Sequence, residues 1–280
     1  MRNRVLTIIF ALTIPVSSLA AQTAARTPQY QPTVGQDGKD VVWGPTPEKL
    51  VEAMLDMAQV SPGDYVIDLG SGDGRIVIAA AKRGARALGL EYNPDLVETS
   101  KQSARKEGVS DRVDFVRADI FEADFSKATV LTMYLFTKLN LKLRPKILEM
   151  KPGTRVVSHA FAMEHWEADR SVSVGGRTAY LWTVPAKVAG TWAWPAESGR
   201  AEITLRQIYQ KIKGSLKMHG KKLPLKNARL EGDCIRFVVG QSQPARREYS
   251  GRIHGNAIEG IAKTGNGTEV KWAAERLAAR

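Results

Sequence analysis

The chain has 280 residues, 43% of them apolar, which suffices for one large or two medium folded units and excludes a disordered chain. Its net charge of +12 is uneven: from Lys187 onward eighteen Lys/Arg stand against eight Asp/Glu, so +10 of the excess lies in the last third. One cysteine, Cys234, excludes an internal disulfide and reads as a strand residue rather than a nucleophile, and the four histidines lack ligand spacing, so no metal site is expected.

At the N-terminus, Arg2 and Arg4 precede an apolar run from Val5 to Ile14 and then the small residues Ser17 to Ala21. That is the order of an export signal. The run is too short to span a bilayer comfortably, so residues 1–21 are expected to be a signal peptide cleaved near Ala20 in a periplasmic or secreted protein, with an uncleaved membrane tether as the alternative. Residues 22–42, polar and rich in Pro and Gly, read as a linker.

Thr46, Pro47 and Glu48 are expected to open a helix, with Thr46 as its cap. Leu50, Val51, Met54, Leu55 and Ala58 form its apolar stripe, and the helix is expected across the mouth of the sheet that follows. Tyr65 to Leu69 is a strand, Gly70-Ser71-Gly72-Asp73-Gly74 a turn, and Ile76 to Lys82 a helix. Alternate glycines let backbone approach a ligand, and the N–H groups of the helix start face the same spot, so a ligand with an acidic or polar tail is expected there. The loop lacks the Gly-Lys-Ser/Thr end of a phosphate-cradling loop, and Arg75 stands where a dinucleotide loop needs glycine.

Further along, Arg86 to Glu91 is a second strand, and Asn93-Pro94-Asp95 opens a helix running to about Gly108. Val113 to Ala118, ending at Asp119, is a third strand, and Thr129 to Tyr134 a fourth. A short helix near Leu139 is expected to break at Pro145, which opens a second helix from Lys146 to Met150. Thr154 to His159 is a fifth strand, and residues 172–184 form a hairpin around Gly175-Gly176. This alternation predicts an α/β unit over residues 43–185, a parallel sheet covered on both faces that binds ligands beyond the carboxyl ends of its strands. After Pro185 the pattern turns to period two, with turn pairs at Gly232-Asp233, Gly255-Asn256 and Gly265-Asn266-Gly267. About eight short strands over 186–280 predict a small all-β barrel or sandwich carrying most of the positive charge.

The run Asp68-x-Gly70-x-Gly72-x-Gly74 resembles the first motif of the class I S-adenosyl-L-methionine (SAM) dependent methyltransferases. PTPEKLVEAML before it, DLGSGDGRIVIAAAKRGARALGLEYNP through it and MYLFTKLNLKLRPKILEMKPGTRVVSHAFAMEHWEAD after it are similar to one branch of that family. The branch holds the lysine methyltransferases of the ATP synthase c subunit and the adenine nucleotide translocase with their bacterial relatives. The resemblance covers about 43–184 and implies a Rossmann-like seven-stranded sheet. It also implies a site in which Asp68, Gly70, Ser71, Gly72, Asp73 and Gly74 hold the methionine end of SAM, Glu91 accepts from the ribose hydroxyls, and Asp119 and Ile120 serve the adenine. The Tyr134 strand end would face the acceptor, and Asn140, His159 and Trp166, which lie at or after the ends of the fourth and fifth strands, are the further residues expected at that pocket, with plain packing as the alternative role of His159 and Trp166.

Lysine methylation of a protein substrate is the activity implied. Such a site must hold the acceptor amine unprotonated, by desolvation or by passing its proton to water or a base. A nucleic-acid acceptor is disfavoured, because Thr132-Met133-Tyr134-Leu135 departs from the Asn/Asp-Pro-Pro-aromatic run of base amino-methyltransferases. Two other readings stay open: a small-molecule or lipid methyltransferase, and a SAM-binding module whose barrel is a ligand cup or docking domain. The basic tail suits an anionic surface or an acidic partner. Export conflicts with the cytoplasmic supply of SAM.

Overall fold

The computed structural model describes residues 30–196, 199–241 and 245–278. The expected export signal, 1–21, lies outside the described residues. The first unit alternates α1 (Glu48–Met57), β1 (Tyr65–Leu69), α2 (Arg75–Lys82), β2 (Arg86–Glu91), α3 (Pro94–Lys106), β3 (Val113–Arg117), β4 (Val130–Met133), α4 (Thr137–Ile147) and β5 (Arg155–His159), then closes with the hairpin β6 (Arg170–Val174) and β7 (Arg177–Thr183). The strands form one seven-stranded sheet in the order β3-β2-β1-β4-β5-β7-β6. The first five are parallel and the hairpin pairs antiparallel to β5. The strand order reverses between β1 and β4, and such a switch point leaves a crevice beyond the carboxyl ends of the two strands.

Most elements follow from their residues. Asn93 caps α3 by accepting from the Asp95 N–H at 2.9 Å, with Pro94 at the first helical position. The strands β1, β4 and β5 are almost wholly buried, as their β-branched and apolar runs require. Three expectations need correction. Thr46 does not cap α1: Pro47 is the N-cap without a side-chain bond, and the Thr46 hydroxyl is drawn instead to His159. Helix α1 packs on α2, β6 and β7, covering a face of the sheet and not its mouth. Pro145 lies inside α4, in its last turn, so the helix runs through it.

The second unit has nine strands, one more than the pattern predicts: β8 (Gly190–Ala196), β9 (Gly199–Ile208), β10 (Lys211–Met218), β11 (Lys221–Pro224), β12 (Lys226–Glu231), β13 (Cys234–Val239), β14 (Arg247–His254), β15 (Ala257–Thr264) and β16 (Glu269–Arg276). The sheet order β11-β10-β9-β8-β16-β15-β14-β13-β12 curls round until β12 comes beside β10, the chain passing straight from β11 into β12 through Leu225, whose N–H extends the β10–β11 ladder to the Gly214 carbonyl at 3.0 Å. The result is an almost closed barrel. Rings fill it, with Trp194 and Trp272 centroids 5.0 Å apart and Phe237 stacked on Tyr249 at 4.8 Å, so the barrel is a packed body and not a ligand cup.

The two units are joined by packing as well as by chain. Tyr209 of the barrel stacks on Trp166 at 5.9 Å, with the Arg144 guanidinium 5.6 Å from its ring centre. A Cβ on Gly232 would lie 2.9 Å from the Gly153 Cα, so the backbones of the two units meet there directly.

Gly74 is the N-cap of α2, at φ 81°, and a Cβ there would come within 2.8 Å of both the Phe115 ring and Ser100. Only glycine lets α2 leave the loop so close to α3 and β3. Gly74→Ala is expected to lower unfolding stability by about 2 kcal/mol, from left-handed strain plus overlap, measured by urea denaturation.

Candidate active site

The glycine loop is held from one side by the end of β2. The N–H groups of Gly70 and Ser71 both donate to the Leu90 carbonyl, at 2.8 and 3.0 Å, and that of Gly72 donates to Glu91 Oε2 at 2.9 Å. The other Glu91 oxygen accepts from the Asn93 N–H at 2.9 Å, so one carboxylate ties the loop to the start of α3. Ser100 completes the clasp by donating to the Gly72 carbonyl at 3.0 Å. These bonds alter the expectation that free loop amides would greet an acidic tail. The amides of Gly70, Ser71, Gly72 and Gly74 are engaged within the protein, and the loop offers shape, carbonyls and side chains instead.

Beyond the loop lies a cavity of about 320 Å³. Asp68, Gly70, Ser71, Gly72, Asp73, Glu91, Asp119, Ile120 and Tyr134 all line it, drawn together from four strand ends as the sequence predicts. Gly74 does not; its place is in the α2–α3–β3 contact. The Ser71 hydroxyl is buried without a partner.

Four carboxylates dominate the electrostatics. Asp68 is buried at 2% exposure and among the described residues accepts only from the Thr132 hydroxyl, at 2.7 Å, across the β1–β4 switch point. Burial, with Glu91 and Asp73 nearby, pushes its carboxyl up to about 7. Asp73 is forked to Arg75, whose guanidinium also donates to the Thr46 carbonyl. Asp119 takes the Phe121 N–H at 2.9 Å and the Lys39 ammonium, and these hold it below the ordinary carboxylate range, Lys39 contributing most.

Lys39 belongs to the stretch read as a spacer. Residues 34–46 fold across the cavity, closed by reciprocal bonds of 2.9 Å from Gly35 N–H to the Trp43 carbonyl and from Trp43 N–H to the Gln36 carbonyl. A Cβ on Gly72 would stand 2.8 Å from the Trp43 indole nitrogen, so the third residue of the glycine loop faces this strap. Lys39 also lies 5.1 Å from the Tyr92 ring centre. Sequence reasoning missed Lys39 and Trp43; an aromatic and a lysine in so polar a stretch were the available signal.

Two of the three residues expected at the acceptor end do not line the cavity. Asn140 is fully buried and donates to Ser158 Oγ at 3.2 Å and the Phe161 carbonyl at 3.0 Å, bracing the turn after β5. His159 lies behind Tyr134, its ring stacked 3.8 Å from the phenol ring, with Nδ1 3.0 Å from the Thr46 hydroxyl. Trp166 is buried in the junction between the units. At Ala160 the chain takes a left-handed turn, φ 63°, that sends Phe161 back to within 6.1 Å of Tyr134 and 5.2 Å of Phe136. The acceptor end is therefore walled by Tyr134, Phe136 and Phe161. The last two were missed, since no periodicity marks them.

The chain is similar to known methyltransferases. Residues 68–170 match the family described as the ANTKMT methyltransferase domain. A protein-lysine N-methyltransferase of Saccharolobus islandicus is 44% identical over 151 residues, 51% of this chain and 94% of that protein. The human lysine N-methyltransferase of the ATP synthase c subunit is 34% identical over 59% of this chain and 70% of its own length. A solved structure from Salinibacter ruber, described as an RNA methyltransferase in complex with S-adenosyl-L-homocysteine, is 50% identical over 52% of this chain and 96% of that one, with a TM-score of 0.51.

Burial, and then Arg177, push the His159 imidazole down to about 4, so it is neutral in the folded chain. The unfolded chain takes up this proton below its ordinary value of about 6.5, while the folded chain resists until about 4. Stability from this group is thus complete above 6.5 and is lost as pH falls toward 4. His159→Phe is expected to flatten that loss in urea titrations across this window. Asp68 acts in the opposite sense there, and the wild-type-to-variant difference removes it.

Proposed function

The chain belongs to the SAM-dependent protein-lysine N-methyltransferases, and we propose that its own acceptor is the ε-amine of a lysine presented by a protein partner. One observation carries the reading: the cavity beyond β4 ends in a wall of three rings, Tyr134, Phe136 and Phe161, with Phe136 44% exposed at its mouth. An apolar slot with an open mouth fits a long aliphatic stem that ends in a cation, and ring faces accept that cation.

The residues present fit SAM. The Ser71 hydroxyl is buried without a partner beside the loop, and carboxylates at the ends of β1 and β2, Asp68 and Glu91, line the cavity without a cationic partner among the described residues, which suits a ligand that carries a positive charge. Asp68, Gly70, Ser71 and Gly72 would hold its methionine end, Glu91 the ribose, and Asp119 with Ile120 the adenine. Bound SAM supplies a methyl group on a sulfonium, an electrophile that asks for alignment and an unprotonated amine. The ring wall contributes to both. It confines the lysine stem to one approach, and by desolvating the head group it lowers the amine's pKa, so that the proton leaves to water at the exposed mouth. His159 stays neutral behind Tyr134 and does not place a competing positive charge against that ring. Its role is to support the ring; Asn140 likewise holds the turn that delivers Phe161.

RNA is the second reading, favoured by the description of the Salinibacter structure. Incubation of the full chain with methyl-labelled SAM and cell extract separates the possibilities. Label is expected in protein bands, resistant to ribonuclease and recovered as methyl-lysine after hydrolysis; label released by ribonuclease or extracted into organic solvent overturns the lysine acceptor. Tyr134→Ala is expected to lower kcat/KM for the protein substrate by about tenfold, the range of a desolvated cation–ring contact, while calorimetric affinity for SAM changes little.

Asp68 generates a second expectation. A cationic ligand favours its ionised form, so a proton competes with SAM once pH falls below about 7. Calorimetry should show affinity level above that value and dropping by up to about tenfold per pH unit beneath it. Asp68→Asn should bind more weakly and lose the pH dependence.

A further inference from the structure

The outer wall of the barrel is charged in two different ways. Across β14, β15 and β16, opposite signs meet: Glu248 is in register with Lys263, which is in register with Glu269, and Arg252 faces Glu259. Across β9 to β13 like signs meet at three register positions, against one unlike pair, Lys217 with Glu202. Arg206 faces Lys213, Lys217 faces Lys222, and Arg229 faces Arg236. All six are exposed, and among the described residues none forms an ion pair. Glu202, on the other side of Lys217, is engaged by Arg200 at 3.6 Å. Because β12 meets β10 where the barrel closes, the three oppositions belong to one continuous wall.

Directly opposed residues of an antiparallel pair stand roughly 5 Å apart, and like charges in that relation destabilise the sheet. Such a wall is unfavourable for the folded chain alone and becomes favourable against a dense array of negative charge. We infer that it binds the anionic headgroup surface of a lipid bilayer. Ile208 lies on the same face, 69% exposed, opposite Lys211 and two residues beyond Arg206. A protruding aliphatic side chain among cations is the combination that an acyl–headgroup boundary accepts. The alternative polyanion, nucleic acid, is less well served. Among the described residues the large apolar side chains exposed on the barrel, Ile208, Ile261 and Val270, are all aliphatic, so apart from the imidazoles of His219 and His254 bases find no large aromatic face to stack on, and the wall is a convex sheet face.

The test is sedimentation of the full chain with vesicles of phosphatidylcholine alone or with a third phosphatidylglycerol. Wild type is expected to partition onto the anionic vesicles. The triple variant Lys213→Thr, Lys217→Thr, Lys222→Thr should partition about a hundredfold less, about fivefold per cation lost. Lys263→Thr with Lys271→Thr, on the far side of the barrel, should partition as wild type does. The apolar N-terminal run is common to all three chains, so the differences isolate the wall. The triple variant is also expected to melt no lower than wild type, since it removes two like-charge oppositions against one unlike pair, Lys217 with Glu202, and threonine suits strands. Should it melt lower, Arg229→Thr with Arg236→Thr repeats the test across the seam. Equal partitioning of wild type and the wall variants overturns the inference. So does a wild-type chain that retards duplex RNA but leaves anionic vesicles unbound.

Discussion

The end of β2 is the hinge pin of the catalytic unit. Two adjacent groups, the Leu90 carbonyl and the Glu91 carboxylate, take the N–H groups of Gly70, Ser71 and Gly72, and Glu91 reaches on to Asn93. The loop that must bend most sharply is therefore fixed by the neighbouring strand before any ligand arrives. This has an electrostatic consequence. With the amides of Gly70, Ser71, Gly72 and Gly74 engaged within the protein, the loop presents less of the positive pole typical of a strand-to-helix turn. Asp68, Asp73, Glu91 and Asp119 set the sign of the cavity instead. Burial first, and the neighbouring Glu91 and Asp73 after it, raise Asp68, and a ligand that brings its own positive charge is favoured beside it.

Much of this was legible in the sequence, because the signals were local. Asn93-Pro94-Asp95 carries its cap within three residues, and alternating helices and β-branched runs dictate a parallel sheet whose strand ends collect Asp68, Glu91, Asp119 and Tyr134. The failures share a cause: a side chain answering to a partner far away in the chain. Thr46 has the composition of a helix cap, but a buried imidazole 113 residues further on offers its hydroxyl a better-shielded bond. Asn140 and His159 are polar residues near the right strand ends, and nothing in their spacing says that they stand behind the wall and not in it. The part of the strap read as a linker, up to residue 42, has that composition because its order depends on contacts such as that of Lys39 with Asp119, not on any periodicity of its own.

The barrel is more than an appendage on a tether. Tyr209 enters the aromatic junction at Trp166, and Trp182 donates through its indole nitrogen to the Trp166 carbonyl at 2.7 Å. Gln210 and Lys211 reach back to Glu167, the residue next to Trp166. The same short segment after β5 that delivers Phe161 to the cavity thus continues, five residues later, into the seam with the barrel. Placement of the ring wall and seating of the second unit are consequences of one turn in the chain.

The like-charged wall also sets the medium in which the barrel is most stable. Dissolved ions shorten the reach of repulsion between neighbouring cations to about 10 Å or less at moderate ionic strength. Half of the barrel, the side from β9 to β13, should therefore tighten as electrolyte is added. The other half, whose signs alternate, should slightly loosen. One small β-body has two faces that respond to brine in opposite directions.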